Sequence, residues 1–156
     1  MKHVLALLFL LFTAAQGVAN PVATEAVNAM RASAGQGALL YVPALARAAR
    51  NHVEDTAQRG FYDHRGSDGS DVGQRAHRAG YRWCWAAENI AWGQQSLGRV
   101  LSTWAASPGH AKNLLNRKAR AFGIARGRGN IWVMVLAAPC RGAGERAVQV
   151  RRGVSR

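Results

Sequence analysis

Between Asp71 and Glu145 the chain holds one acidic side chain, Glu88, set inside the aromatic-rich run GYRWCWAAENIAWGQQS (residues 80–96). Any fold that buries this run must bring a partner to the carboxylate, because a lone charge taken out of water costs more than a domain's net stability. The arginines and histidines elsewhere in the sequence are the candidates for that partner.

The punctuation around this run lays out the rest of the architecture. NPVATEAVNAMRASAGQG (residues 20–37) spaces Val27, Met30 and Ala34 at helical intervals and stops at Gly35 and Gly37. In YVPALARAARNHVEDTAQRG, Pro43 suits a first helical turn, and Leu45, Ala49, Val53 and Thr56 share a face. Gly60 stands where that helix must end. The loop FYDHRGSDG turns at Asp68-Gly69, and Ser70 is placed to cap a short helix running through Ala79. Residues 81–92 read as a strand or extended segment broken at Gly93. Ser96 then caps a helix whose apolar face is Leu97, Val100, Leu101 and Trp104, and Ser107-Pro108 opens a further helical turn in SPGHAKNLLN. AFGIAR and NIWVMVLAA, joined across GRG, form an antiparallel hairpin. Helices before and between a few antiparallel strands make an α+β domain built in layers. Pattern alone leaves the stacking of those layers open.

The leader MKHVLALLFLLFTAAQGVA (residues 1–19) has a short basic front, an apolar core over residues 4–12, and small residues at Gly17 and Ala19. It reads as a secretory signal peptide cleaved near Ala19. Its apolar run is short for a membrane span, which needs roughly 20 residues, and charges interrupt every later apolar run. What remains is one domain, residues 22–140, and a basic tail, residues 141–156, with five Arg, three Gly and little to bury. That tail is expected to be disordered.

The formal charge of +13 favours anionic partners such as envelope polymers, lipid headgroups or nucleic acid. Export makes nucleic acid the poorest of these. The basic residues are nearly all Arg and are spread along the chain, which a general compositional bias would equally produce. In an oxidising compartment the two cysteines, Cys84 and Cys140, allow one intramolecular bridge. It would close a loop of about 56 residues, for which the chain-entropy relation gives roughly 4 kcal/mol.

Four histidines lie beyond the leader. His77, among Arg75, Arg78 and Arg82, reads as solvent-facing, and His52, beside the apolar stripe of its helix, as packed or cleft-lining. His64 and His110 each stand at the edge of an expected helix, where a side chain can project into a groove. Neither H-E-x-x-H nor C-x-x-C is present.

Three motifs occur in an order that is similar to one family: FYDHRGSDGSDVGQRAHRAGY, AENIAWGQ, and WAASPGHAKNLLN followed by FGIA. The similarity extends over about residues 22–138, and the motifs resemble those of bacterial members of the CAP superfamily. These SCP-like extracellular domains are related to cysteine-rich secretory, antigen 5 and pathogenesis-related class 1 proteins. The resemblance implies an α–β–α sandwich, a small antiparallel sheet between helical layers with a cleft on one side. In the better-studied eukaryotic members the cleft holds two histidines and two acidic residues. By motif these positions are His64, Glu88 and His110, and the second carboxylate falls at Ser107, so one of the four is missing here.

If Glu88 lies beside His64 and His110, it raises an imidazole pKa and fixes which ring nitrogen carries the proton. The two imidazoles could then bind a divalent ion such as Zn²⁺. A structural hydrogen-bond network is the competing reading of the same residues. Asn89 and Asn113 are expected to satisfy backbone groups, and Arg75 to make a structural ion pair or hydrogen bond. Two functions stand side by side. One is an exported binding module of the envelope or extracellular space for a lipid, polymer or protein, secreted or periplasmic, with the Arg-rich tail as a possible anionic-surface contact. The other is a metal-assisted hydrolase in which His64 and His110 hold the ion, Glu88 is the general base, and Ser107 helps.

Overall fold

In the computed structural model, which describes residues 20–140, five helices and four strands follow the punctuation of the sequence. Helix α1 (Pro21–Ser33) starts on the Asn20 side chain, which accepts from the Ala23 amide. A two-residue strand β1 (Leu40–Tyr41) leads into α2 (Pro43–Arg59), which ends as expected on Gly60 in the left-handed conformation. Helix α3 (Val72–Arg78) is capped by Asp71 rather than Ser70. The Asp71 carboxylate and the Gln74 side chain close a reciprocal capping box, which a serine one residue earlier cannot supply. Strand β2 (Trp85–Ala91) carries Glu88, and α4 (Leu97–Ala106) is capped by Ser96 as its sequence indicates. Helix α5 (Pro108–Leu114), strand β3 (Ala121–Arg126) and strand β4 (Trp132–Ala138) complete the fold. The leader and the basic tail lie outside the described residues. Among those described, no helix is long and apolar enough to cross a membrane.

The sheet order is β1-β3-β4-β2. Its three longer strands are antiparallel, with Glu88 opposite Val135 and Gly123 opposite Val135 across the central β4. The short β1 adds a parallel edge to β3, a connection made through α2 and the rest of the domain rather than through a hairpin.

Strand alternation divides the core into two layers. Phe122, Ile124, Trp132, Met134 and Leu136 face α1, α4 and α5, where they pack with Val27, Leu101, Trp104 and Leu114. Ala121, Ala125, Val133, Val135 and Ala137 face α2 and α3, against Leu45, Ala49, Val53 and Ala76. Small residues on that second face let α2 lie close to the sheet. A Cβ on Gly123 would stand 2.0 Å from the Ala46 backbone nitrogen, so the spacing of helix and sheet depends on its absence. The result is the α–β–α sandwich. Cys84 and Cys140 are bridged, and the Cys84 amide donates to the Ala138 carbonyl, so the bond ties the open end of the β2–β4 pair.

Candidate functional site

Strand β2 is an outer strand, and three neighbours close over it: α3, the loop between α2 and α3, and α5. Glu88 points from its middle toward α2 and α3 and is 5 % exposed. The partner its sequence demanded is Arg75, on the inner face of α3. The Arg75 guanidinium donates to Glu88 Oε2 at 2.7 Å and to the carbonyls of Ser70 and His64. The other oxygen, Oε1, faces His64 Nδ1 at 3.0 Å. His52 lies under both, 1 % exposed, with Nε2 2.9 Å from the Asp63 carbonyl and 3.8 Å from Glu88 Oε1. One carboxylate thus gathers a buried guanidinium, a buried imidazole and a surface imidazole.

These surroundings set the protonation states. The hydrogen bond to Glu88 raises the His64 pKa above the ordinary imidazole value, against a smaller opposing effect of burial. Burial lowers that of His52, with the Glu88 charge opposing, so His52 is held neutral and donates from Nε2 to Asp63. Its Nδ1 is buried without a partner among the described residues, as is the Thr56 hydroxyl one turn later. Burial lowers the His110 pKa first, and the neighbouring His64 charge lowers it further.

His110 and Ser107 form a second pair at the start of α5, with Oγ 2.9 Å from Nδ1. Ser107 occupies the N-cap position, yet its hydroxyl bonds the imidazole instead of a helix amide. Two amides join this pair to the first. Asn113 donates to the Glu88 carbonyl and to Asn89 Oδ1, and Asn89 donates to the His110 carbonyl. Of the four positions that the motifs marked, Glu88 touches His64 and Ser107 touches His110; backbone-directed asparagines connect the two halves. Asn89, Asn113 and Arg75 therefore take the roles their sequence context gave them, and His77 is exposed.

A cavity of about 380 Å³ opens beside His64, lined by Asp63, Arg65, Asp71, Ala87, Glu88 and Asn113 among others. Next to the loop's histidine, Tyr62 and Trp92 stack on each other with ring centroids 4.7 Å apart and a 33° tilt. They are 52 % and 57 % exposed. Nothing in the sequence paired these two rings. Each stands close to a motif residue, and only the loop crossing over β2 brings them together.

The donor set tests the metal expectation. Among the described residues, no group of three or more His, Cys, Asp or Glu is placed to hold an ion. Catalytic zinc sites use three protein ligands. Glu88 accepts from Arg75 and His64, so at this site it serves the ion pair and orients one imidazole.

Comparison with known proteins identifies the family. The sequence model of the "Cysteine-rich secretory protein family" matches residues 24–136. The uncharacterised protein YkwD of Bacillus subtilis is 30 % identical over 109 residues, covering 69 % of this chain and 42 % of its own length. The chain thus spans less than half of that curated relative. An extracellular protein containing a SCP domain from Bacillus anthracis superimposes with a TM-score of 0.69 at 25 % identity, over 75 % of this chain and 39 % of that one. An outer surface protein from Borrelia burgdorferi gives a TM-score of 0.69 at 21 % identity, over 76 % of this chain and 91 % of its own, a likeness of fold.

Proposed function

We propose, on the premise that this chain belongs to the cysteine-rich secretory protein (CAP) family, that it is an exported binding module whose cleft holds an extracellular or envelope ligand without turning it over. The observation that carries this reading is the state of Glu88. A general base must come within hydrogen-bond reach of the proton it removes. The Glu88 side chain is 2 % exposed, and its oxygens face Arg75 and His64, so little of the carboxylate is open to a water or a substrate. What the carboxylate does is orient His64: it holds Nδ1 and leaves Nε2 on the outer side of a side chain that is 63 % exposed. An imidazole fixed in this way is directional at the mouth of the cavity: Nε2 donates while His64 is protonated, a form its raised pKa favours, and accepts once it is neutral.

The hydrolase reading loses its base by the same contacts. A divalent ion would have His64 and His110 as its protein ligands. Ser107 has an imidazole partner, but Glu88 orients the other histidine, so the Ser107–His110 pair lacks a carboxylate behind it. The family's extracellular character, the leader and the positive charge of +13 support a ligand from the envelope or its surroundings.

The test is cosedimentation of the mature chain with purified wall sacculi and with anionic lipid vesicles, at pH 5.5 and pH 8. Retention should fall at least fivefold in His64→Ala and should be unchanged in the exposed His77→Ala. Equal retention of wild type and His64→Ala in every arm would overturn the reading.

A further inference from the structure

We infer that the stacked pair Tyr62–Trp92 is a sugar-stacking platform, and that the ligand of the cleft is a glycan strand lying along β2 from this platform to the cavity beside His64. The inference rests on the binding-module reading and names its ligand class.

Three features carry it. The first is the platform itself. Large aromatic rings are ordinarily buried to a greater degree than these, and two that stack on each other while both staying more than half exposed present a flat apolar surface to solvent. A pyranose ring has one face of C–H groups that matches such a surface. Two rings tilted by 33° make an open shelf, not the enclosing cage that a quaternary ammonium needs, and the chain's charge of +13 disfavours a cationic ligand.

The second feature is the chemistry of the cavity. Each hydroxyl of a sugar both donates and accepts, so a glycan site needs donors and acceptors mixed. The lining supplies Arg65 as a donor, the carboxylates of Asp63 and Asp71 as acceptors, and the outer nitrogen of His64 as a donor when protonated and an acceptor when neutral. Asn113 adds its Oδ1, because its amide hydrogens already serve the Glu88 carbonyl and Asn89.

The third is alignment. Trp92 directly follows the last residue of β2, four residues beyond Glu88, which is roughly 13 Å at about 3.3 Å per residue. Tyr62 and His64 sit two residues apart in the loop above and pair with Trp92 and Glu88 respectively. The platform, His64 and the cavity therefore lie in sequence along one line. Successive rings of one extended sugar polymer can occupy these places together.

The experiment uses the mature chain and a panel of soluble hexasaccharides: N-acetylglucosamine, galacturonate and maltose oligomers, which are N-acetylated, acidic and neutral. Trp92 is 57 % exposed against 38 % for Trp83, so it dominates the emission that acrylamide can quench. At least one hexasaccharide should protect that emission from quenching, with binding weakened about tenfold in Trp92→Ala and in Tyr62→Ala, which corresponds to about 1.4 kcal/mol. Trp92→Phe, which keeps a ring, should recover most of the affinity as measured by calorimetry. Shortening the best ligand to a monosaccharide should remove the dependence on either the platform or His64. Binding that survives both aromatic variants but fails in His64→Ala overturns the platform and leaves the cleft reading standing. Binding lost in Trp92→Ala but intact in His64→Ala does the opposite, sinking the cleft reading and the continuous strand. If no member of the panel binds, the glycan inference is overturned.

Discussion

Replacing Glu88 by Gln keeps the shape of the side chain and removes its charge, so it isolates what the buried ion pair contributes. In the folded protein Arg75 is 7 % exposed and would be left without its counter-charge. It would retain the carbonyls of Ser70 and His64, which hold its geometry but cannot neutralise it. The new amide also places a donor against either the guanidinium or His64. Breaking a buried pair on one side costs about 3–5 kcal/mol, and the retained carbonyls put Glu88→Gln near the lower end, about 3 kcal/mol. For a domain of this size that lowers Tm by roughly 10–15 °C. Arg75→Met should cost a similar amount, and the double variant should cost less than the sum by about 2 kcal/mol, because the two side chains share one interaction. His64→Ala removes a contact to the same carboxylate, but from an exposed imidazole, and should cost no more than about 1 kcal/mol. Urea unfolding followed by tryptophan emission, with m unchanged across the set, measures all four. A Glu88→Gln loss no larger than that of His64→Ala, with no coupling to Arg75→Met, would refute the assignment of Arg75 as the partner that lets this carboxylate be buried.

Four further outcomes follow from the same geometry. Proton NMR should show His64 titrating above the ordinary imidazole midpoint and His110 below it, with Glu88→Gln returning His64 toward the ordinary value. The linked stability has opposite signs: the His64 contribution is present below about pH 6.5 and lost as pH rises through its raised folded value, whereas buried neutral His52 weakens the fold as pH falls below about 6.5; unfolding midpoints measured from about pH 5 to 9 resolve the two. Reduction of Cys84–Cys140 should lower stability by up to about 4 kcal/mol without altering the His64 titration, since the bond lies at the far end of β2, and an unchanged urea midpoint after reduction would contradict it. Gly123→Ala should fail to accumulate as folded protein, because its Cβ meets backbone of α2 and not a movable side chain; a circular-dichroism melt matching the parent would show that α2 can withdraw.

What the sequence made legible was local. Pro43 and Gly60 bracket α2 because fixed φ at one end and left-handed φ at the other are properties of single residues. The hairpin of β3 and β4 was readable from two apolar runs and a glycine turn. The two-residue β1 carries no period and could not be seen. Arg75 was expected to form an ion pair or hydrogen bond, but neighbouring Arg78 and Arg82 look alike in sequence, and only the packing of a seven-residue helix against β2 decides which one turns inward. Arg31 was invisible altogether: it is buried because its guanidinium reaches the Leu114 carbonyl at the end of α5, 83 residues away. His64 and Glu88 were assigned through motif resemblance, and the geometry adds that the carboxylate serves His64 and not His110.

The outer position of β2 has a consequence for how this protein can change. An unpaired strand edge is a template for other chains, and here it is stoppered by side chains: Asn113 donates to the Glu88 carbonyl, and the Trp104 indole donates to that of Ile90. Helix α5, which lines the cavity through Asn113, is therefore also part of the guard against self-association, together with α4. Drift in α5 that retuned ligand preference would loosen that guard and expose the chain to aggregation first. The loop over residues 60–71 carries no such duty at the edge, so a substitution at Tyr62, Asp63 or Arg65 can change what the cleft holds without freeing the strand.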